Sequence, residues 1–419
     1  MTDPHAIPVR ATMTLLPMLA AITIVSQFFR TSLGVIAPEL IQDLSLSPAI
    51  LGLANGSFYI ALFVAQIPVG ILFDRIGTRR TVAWLTGIAV AGALLHAVAR
   101  NGEELVAARL LLGLGCGGSF MGAVMLSSRW YGGDRLSMVL SWVFSLSQIG
   151  TLLAATPLAA SADLFGWRWT FAGTAIVTGV TGAVFYLLVR DDPPGRPASP
   201  PSKEGLGDIM RGLMAVWKTP HLSRILAVHT FAYASQSTVL GLWGGPYLHD
   251  IHGLDGVGRG NVLLAMGAAQ IAGILSFGPL DRLFNTRKWL VAAGSACTIS
   301  VLLALALLKA PPAWLAIGLL VLLCFVTTYS LVIVAHGRSL FPDHLAGRGI
   351  TTVNLAQVFG CAFLPVATGA IVNAFPNSGA GYAEDAYRLA FGFIALCLAL
   401  GCVWYLGGPD SKPRRITLQ

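Results

Sequence analysis

Long apolar stretches, separated by short polar turns, recur along nearly the whole chain. A segment of about 18 to 25 apolar residues is long enough to cross a hydrocarbon core of roughly 30 Å as an α-helix. The pattern therefore predicts an all-α membrane protein with twelve transmembrane helices. The predicted spans cover approximately residues 12–38, 51–72, 81–98, 106–126, 138–160, 170–189, 225–246, 262–280, 289–308, 313–334, 350–372 and 389–406.

A charged turn occurs twice, once after the second predicted span and once after the eighth. The two copies read GILFDRIGTRR, at residues 70–80, and GPLDRLFNTRK, at residues 278–288. Because duplication of this kind is typical of membrane proteins built from structural repeats, we predict two pseudo-symmetric six-helix bundles. Residues 207–217 have the apolar spacing of a short amphipathic helix at the membrane surface. The expected order is an N-terminal bundle at 1–190, a linker at 191–221, a C-terminal bundle at 222–407 and a tail at 408–419.

The composition is that of a protein embedded in a bilayer. Of the 419 residues, 55% are hydrophobic and 11% are charged, which is far more apolar than a soluble domain. Lys and Arg fall mainly in alternate loops, and 20 of the 27 lie on the side that also holds both termini. Since cytoplasmic loops carry such an excess, both termini are expected in the cytoplasm. The net charge of +8 then requires no nucleic acid, because the basic loops face anionic lipid headgroups.

The first charged turn follows the pattern G-x-x-x-D-R-x-G-x-R-R, beginning at Gly70. It is similar to the loop between helices two and three of the major facilitator superfamily, and the resemblance covers essentially the whole chain. The resemblance implies a transporter that works by alternating access, in which the carboxylate of this turn holds a cytoplasmic gate. A carboxylate suits this role because it stabilises a helix N-terminus and pairs with arginine.

The two turns supply the gating candidates. We expect the acid and the arginine of each copy to pair, Asp74 with Arg79 and Asp281 with Arg287. The second copy matches the family pattern less well, because Phe284 replaces the glycine and one extra residue precedes the basic pair. Arginines in such turns also fit a role in membrane topology alone. The gating candidates are Asp74, Arg75, Gly77, Arg79, Asp281 and Arg287.

The fourth predicted span contains Arg109 followed by a glycine-rich stretch, which resembles the fourth-helix motif of the same family. Gly113 and Gly117 have the small-xxx-small spacing that lets two helices approach closely. The glycines also form a G-x-G-x-x-G pattern, but a dinucleotide site needs a preceding strand, and none is predicted. Arg109 has two interpretations, an outward reach to Glu103 or Glu104 and a role in coupling.

Arg30 gives the strongest indication of the substrate. It lies well inside the first span, where an isolated guanidinium group costs about 2.5 to 3.5 kcal/mol on insertion scales. The hydrophobic cores of the spans contain no Asp or Glu, so an anionic substrate would supply the missing charge. The alternative is that Arg30 extends outward to Glu39 or Asp43.

Other polar residues of the spans are candidates to line the same cavity. Helices one, seven and eleven border the central path in the family that the chain resembles. Any one of these side chains also fits an ordinary hydrogen bond between helices. The substrate-binding candidates are Arg30, Tyr59, Gln148, Tyr233, Gln236, Asn354 and Gln357.

The leading functional hypothesis is secondary active or facilitative transport of a small organic anion such as a carboxylate. Export of lipophilic or cationic compounds is the first alternative, and a membrane enzyme or non-transporting sensor is a second. Because the chain has no nucleotide-binding loop, a proton symporter, an anion exchanger and a facilitator all stay open. The candidate coupling residues are His229, which is titratable, and Arg109. We expect no metal and no cofactor. The resemblance implies a monomeric, multi-pass protein of the bacterial inner (plasma) membrane.

Overall fold

The computed structural model describes residues 9–131, 133–193, 214–342, 345–375 and 381–413. Within these ranges the regular structure is helical and contains no strand, so the all-α prediction is confirmed. Among the described residues, eleven helical stretches are long and apolar enough to cross a membrane, and several of them join two or three consecutive helices. The seventh predicted span is also helical and contains a π-helical turn at Val239–Trp243, but it is not among the eleven.

The chain forms two compact units. The first contains Met1–Leu33 and Ser57–Lys203, and the second contains Gly34–Gly56 and Glu204–Gln419. The break after Lys203 falls inside the predicted linker. The helices before the linker are α1 (Val9–Val35), α2 (Ala37–Leu44), α3 (Pro48–Ile76), α4 (Thr78–Val98), α5 (Gly102–Cys116), α6 (Ser119–Trp130), α7 (Gly133–Ser147), α8 (Ile149–Leu153), α9 (Thr156–Phe165) and α10 (Trp167–Leu188).

Close backbone contacts organise the first unit. α4 packs along both α5 and α10, and the glycines of α5 bring it against α3. A Cβ atom on Gly113 would collide with the backbone of Phe58, and one on Gly117 would lie 2.9 Å from the Ala65 side chain. Phe58 and Ala65 both belong to α3, so the predicted small-xxx-small contact is confirmed. Because glycine has no side chain, the two helix backbones approach closely at these positions and gain the packing contacts that drive helix association in a bilayer.

The second unit has its own packing scheme. α11 (Leu222–Thr238) lies against α18 (Ala346–Asn373) and α19 (Glu384–Leu406). α15 (Lys288–Leu307) packs on α19, and α13 (Gly256–Phe277) packs on α16 (Ala313–Val326). Ile225, Val291 and Leu398 are among the fully buried residues of its core. The helices after the linker are α11 (Leu222–Thr238), α12 (Gly244–Asp250), α13 (Gly256–Phe277), α14 (Leu280–Leu283), α15 (Lys288–Leu307), α16 (Ala313–Val326), α17 (Ser330–Arg338), α18 (Ala346–Asn373) and α19 (Glu384–Leu406).

The segment Gly34–Gly56 belongs to the second unit although it precedes the linker. Asn55 Nδ2 donates a hydrogen bond to the Gly241 carbonyl oxygen at 2.7 Å. A Cβ atom on Gly34 would lie 2.7 Å from the carbonyl carbon of Gly241. Because two backbones touch there, only glycine fits at this position. The end of α1, the whole of α2 and the start of α3 are therefore built into the second unit.

The predicted amphipathic helix at 207–217 lies mostly outside the described residues. Its last four residues, 214–217, are helical. Val216 is fully buried in the core of the second unit, whereas Met214 and Trp217 are exposed.

Candidate functional site

Arg30 lies in α1 with its guanidinium group against two aromatic rings. Its Cζ atom is 5.1 Å from the ring centroid of Phe120 and 6.0 Å from that of Tyr59. Its Nε atom is enclosed without a hydrogen-bond partner. Within the described residues no ion pair involves Arg30. The first unit thus holds a half-buried guanidinium group that forms no ion pair with a carboxylate in the part of the chain that the structure describes.

Glu39, the acid nearest to Arg30 in the sequence beyond α1, is engaged within the second unit. It forms an ion pair with Arg259 of α13. The Arg259 side chain is 2% exposed and the Glu39 side chain 32%. Glu39 therefore has a partner, Arg259, within its own unit, and the interpretation in which Arg30 extends to Glu39 or Asp43 stays an alternative.

Two other predicted residues have described contacts in the first unit. Tyr59 is almost fully buried and contributes one of the two rings. Gln148 accepts a hydrogen bond from Gln27 Nε2, at 3.4 Å. Gln27 precedes Arg30 by three residues, which places both on one face of α1, so helical spacing would have identified it. Phe120 was also missed, because an apolar ring in an apolar span carries no sequence signal.

The predicted residues of the second unit have different surroundings. Gln236 is 2% exposed, and its side-chain oxygen accepts a hydrogen bond from Thr327 Oγ1 at 2.7 Å. This contact joins α11 to the 3₁₀ turn at Thr327–Tyr329, which is an interhelical role. Tyr233 and Gln357 are half-buried and Asn354 is exposed. The binding roles of these four residues stay predictions.

His229 is fully buried in α11. Both nitrogens of its ring are enclosed without a hydrogen-bond partner among the described residues, and α11 packs against α18 and α19. The described contacts give it no exposure to water. Its coupling role stays a prediction.

The first charged turn is held by an acid that the motif does not contain. Asp74 is exposed, and the expected contact between Asp74 and Arg79 is not formed. Instead Asp191, just beyond α10, accepts a hydrogen bond from the Arg79 backbone N–H at 2.7 Å. Arg79 Nε donates to the Tyr186 carbonyl at 2.6 Å. Gly77 is required because its φ is +89° and a Cβ atom there would collide with the Asp191 carboxylate.

The second charged turn forms the expected pair. Arg287 Nε lies 3.2 Å from Asp281 Oδ2. The left-handed position of this turn is Asn285, with φ +50°, and Asn tolerates that conformation better than most residues. In the second turn, Asn285 adopts a positive φ, as Gly77 does in the first. The second turn therefore does not need a glycine at the aligned position, which is Phe284.

The tail completes the second turn. Asp410 accepts hydrogen bonds from the backbone N–H groups of Arg287 and Lys288, at 3.2 and 2.9 Å, and from Thr286 Oγ1 at 2.8 Å. Arg287 also donates to Ser411 Oγ at 2.9 Å. In each unit, then, an acid beyond the last long helix binds the N-terminus of the helix that follows the charged turn.

Arg109 is fully buried in α5 and donates to a backbone carbonyl of α1. The reach to Glu103 or Glu104, one of the two interpretations of Arg109, is not among the described ion pairs. Glu104 instead accepts a hydrogen bond from the Arg100 backbone N–H at 2.8 Å. The coupling role of Arg109 stays a prediction.

Comparison with known proteins gives this arrangement a family. The Major Facilitator Superfamily model matches residues 19–365. The chain belongs to the major facilitator superfamily. It is similar to a solved bacterial homologue of the human lysosomal transporter Spinster, with a TM-score of 0.78 and 17% identity over 95% of this chain and 97% of that one. The D-xylose–proton symporter gives a TM-score of 0.72 at 16% identity, covering 92% of this chain and 97% of that one.

Three curated relatives align with less than half of this chain. A quinolone resistance transporter of Acinetobacter baumannii is 27% identical over 43% of each chain. A protein of Agrobacterium vitis named for tartrate transport is 26% identical over 44% of each chain. A nitrate/nitrite transporter, NrtP, of Nostoc punctiforme is 29% identical over 42% of this chain and 35% of its own length. The chain therefore spans less than half the length of these relatives.

The described part of this superfamily member contains a guanidinium group of the kind that binds carboxylates and phosphates in proteins. Its first unit offers a guanidinium group with aromatic contacts, and each unit carries a charged turn fixed by a carboxylate. Among the described residues, no group of three or more His, Cys, Asp or Glu is placed to hold a metal ion.

Proposed function

We propose that this transporter moves a small organic anion, such as a carboxylate, by alternating access and that Arg30 binds the anion. The supporting observation is the environment of Arg30, which is half-buried and contacts aromatic rings rather than an acid. Bringing a guanidinium group into a membrane span costs about 2.5 to 3.5 kcal/mol, and a bound oxyanion offsets that cost. A guanidinium group can bind a carboxylate through two parallel N–H groups, which suits a small carboxylate as the substrate.

The relatives support an anionic substrate. Two of those described are named for transport of tartrate and of nitrate or nitrite, which are oxyanions. The seventh span of this chain carries Ser235, Gln236, Ser237 and Thr238 rather than a second cation. We therefore propose a weakly charged anion. The proposed binding residues for its remaining polar groups are Tyr59 and Gln148 in the first unit. In the second unit the candidates are Tyr233, Gln236, Asn354 and Gln357.

Transport is proposed to be secondary, either proton symport or anion exchange. His229 and Arg109 are the proposed coupling residues, and the charged turns are the proposed gates. The bias of Lys and Arg supports an orientation with both termini in the cytoplasm. The proposed setting is the bacterial inner membrane, with the protein as a monomer surrounded by lipid.

Export of a lipophilic or cationic compound is the second candidate function. The quinolone resistance relative favours it. This alternative makes a different prediction for Arg30, because a cationic or uncharged compound gains nothing from a guanidinium group.

Uptake into proteoliposomes separates the two. Purified protein would be tested with labelled tartrate, nitrate and norfloxacin, each with and without an inside-alkaline pH gradient. For Arg30→Ala we expect tartrate affinity to fall about 10- to 100-fold, since a hydrogen bond to a charged group contributes about 1.5 to 3 kcal/mol. Arg30→Lys keeps the charge but loses the planar fork, so an intermediate loss is expected.

The matched control is Arg100→Ala, because Arg100 is exposed and its side chain makes no described contact. This variant should transport like the parent protein. The anion proposal is wrong if no oxyanion moves, or if Arg30→Ala and Arg30→Lys both transport tartrate at the parental rate. Norfloxacin transport that survives Arg30→Ala would establish the export alternative.

A further inference from the structure

Arg109 contacts the two residues that directly precede the proposed anion-binding pair. Its Nη1 atom donates to the Phe29 carbonyl oxygen at 2.7 Å, and Phe29 is followed by Arg30. Its Cζ atom lies 4.9 Å from the ring centroid of Phe58, and Phe58 is followed by Tyr59. One guanidinium group of α5 therefore joins the neighbours of both residues.

The contact at Phe29 acts on the backbone of α1. A helical carbonyl has two lone pairs and can accept a second donor besides the N–H one turn later. Because the Phe29 carbonyl and the Arg30 amide form one peptide plane, a donor fixed on this oxygen restricts where the Arg30 side chain begins. A charge-assisted bond of this kind is stronger than a neutral one.

The contact at Phe58 acts on the aromatic side of the site. Phe58 and Tyr59 form an edge-to-face pair, with centroids 5.4 Å apart at 77°. Tyr59 in turn lies 6.0 Å from the Arg30 guanidinium carbon. Gly113, one turn after Arg109, brings α5 against the Phe58 backbone, so α5 has little freedom to move relative to α3.

Arg109 itself is fully enclosed, with no exposed surface, so it is not available to touch a solute. Its contacts with Phe29 and Phe58 lead to Arg30 and Tyr59, which directly follow those two residues in the chain.

We propose that Arg109 is a positioning residue, which fixes α1 and α3 so that Arg30 and Tyr59 are held in the geometry that binds the anion. This inference rests on the proposed function for the part that concerns the anion. The placement of Arg30 by Arg109 is independent of any substrate. It differs from a coupling role because it requires no change in the protonation of Arg109.

The test combines transport kinetics with chemical labelling of Arg30. Arg109→Met removes the donor, while Arg109→Lys keeps a charged donor for the Phe29 carbonyl. In proteoliposomes with tartrate, we expect Arg109→Met to raise KM about tenfold with Vmax within about twofold, and Arg109→Lys to restore most of the affinity. In an Arg30→Ala background, Arg109→Met should add little, because residues acting as one unit are not additive.

Labelling by phenylglyoxal, read by mass spectrometry, reports on Arg30 without any substrate. Arg109→Met should change the labelling rate of Arg30 severalfold relative to the exposed Arg100 on the same molecule. If Arg109→Met does not fold, the same two readouts are taken on Arg109→Lys against the parent, with a smaller effect of the same sign expected.

The outcomes distinguish the two proposals. Unchanged labelling of Arg30 overturns the positioning role, as does a loss confined to Vmax or an equal rise in KM with and without Arg30. Altered labelling combined with tartrate transport that ignores Arg30→Ala would keep the positioning role and overturn the proposed function.

Discussion

Three arginines show how this chain accommodates a guanidinium group inside a helical bundle. Arg259 is paired with a carboxylate, Glu39. Arg109 binds a backbone carbonyl and lies over a ring. Arg30 has aromatic contacts without an acid among the described residues. Since burying a cation without compensation is costly, the third arrangement is the one that a bound anion completes, and this is why the substrate proposal rests on Arg30.

Asp191 and Asp74 lead to a prediction about the stability of the first charged turn. The Asp191 carboxylate accepts a hydrogen bond from the Arg79 backbone N–H at the start of α4, as an N-cap side chain does. Asp191→Ala should therefore lower the free energy of unfolding by about 0.5 to 2 kcal/mol. Thermal denaturation in detergent, followed by tryptophan fluorescence, measures this.

Asp74→Asn is the matched comparison for Asp191→Ala. Asp74 is exposed and has no described partner, so its substitution should leave thermal stability unchanged, while the gating proposal expects it to slow transport. Equal stability losses for the two variants would show that Asp191 has no special part in holding this turn.

At the scale of elements, the two charged turns share a device that lies outside the repeated motif. An acid beyond α10 binds the start of α4, and an acid beyond α19 binds the start of α15. Negative charge at a helix N-terminus is favourable because unpaired N–H groups and the helix dipole meet there. The structural repeat therefore includes the short segments that follow α10 and α19. The sequences of these two segments show no visible similarity to each other.

The docking of the tail should depend on pH. Although partial burial acts in the opposite direction, hydrogen bonds from the Lys288 backbone, Thr286 and the Arg287 backbone hold the pKa of Asp410 below its usual value. A lowered pKa in the folded state means that docking is fully stabilised at neutral pH. The stabilisation is lost as the pH falls through that lowered value, below about pH 4.

Fluorescence anisotropy of a label on the tail tests this dependence. Lys412→Cys would be labelled in a Cys297→Ser background, because Cys297 is the exposed cysteine and the other five are buried. Anisotropy should be high at pH 7 and fall on acidification, and Asp410→Asn should be low at both pH values. An anisotropy that is the same from pH 7 to pH 3, with the fold intact by circular dichroism, would contradict the prediction.

At the scale of the whole molecule, the compact units do not follow the sequence repeat throughout. Gly34–Gly56 belongs to the second unit, held by the Asn55 contact with Gly241 and by the pair of Glu39 with Arg259. A sequence repeat reflects duplication of a chain segment, whereas packing depends on which surfaces are complementary. A segment from the first repeat can therefore pack as part of the second unit.

Removing Glu39 should test how firmly this segment is held. Glu39→Gln leaves Arg259, which is 2% exposed, without its counter-charge, and an unsatisfied buried polar group costs about 1 to 3 kcal/mol. We expect a lower midpoint of thermal denaturation for Glu39→Gln and partial recovery in the swapped pair Glu39→Arg with Arg259→Glu. Asp163→Asn, at an exposed acid without a described partner, is the control, and an equal midpoint in Glu39→Gln and Asp163→Asn would rule out a stabilising role.

The sequence by itself determined the helical architecture, the family and the positions of the charged turns. Span length and motif spacing are local properties of the sequence, and the thickness of the bilayer sets the length of a spanning helix. It also identified Arg30, since a cation inside an apolar span is visible without coordinates. Tertiary structure alone decided which acid meets which arginine. Arg259 rather than Arg30 binds Glu39, Asp191 rather than Asp74 binds the start of α4, and Arg109 meets Phe29 rather than Glu104. Hydrogen bonds and ion pairs act over about 3 to 4 Å, and distances of that size between residues far apart in the chain are set by packing.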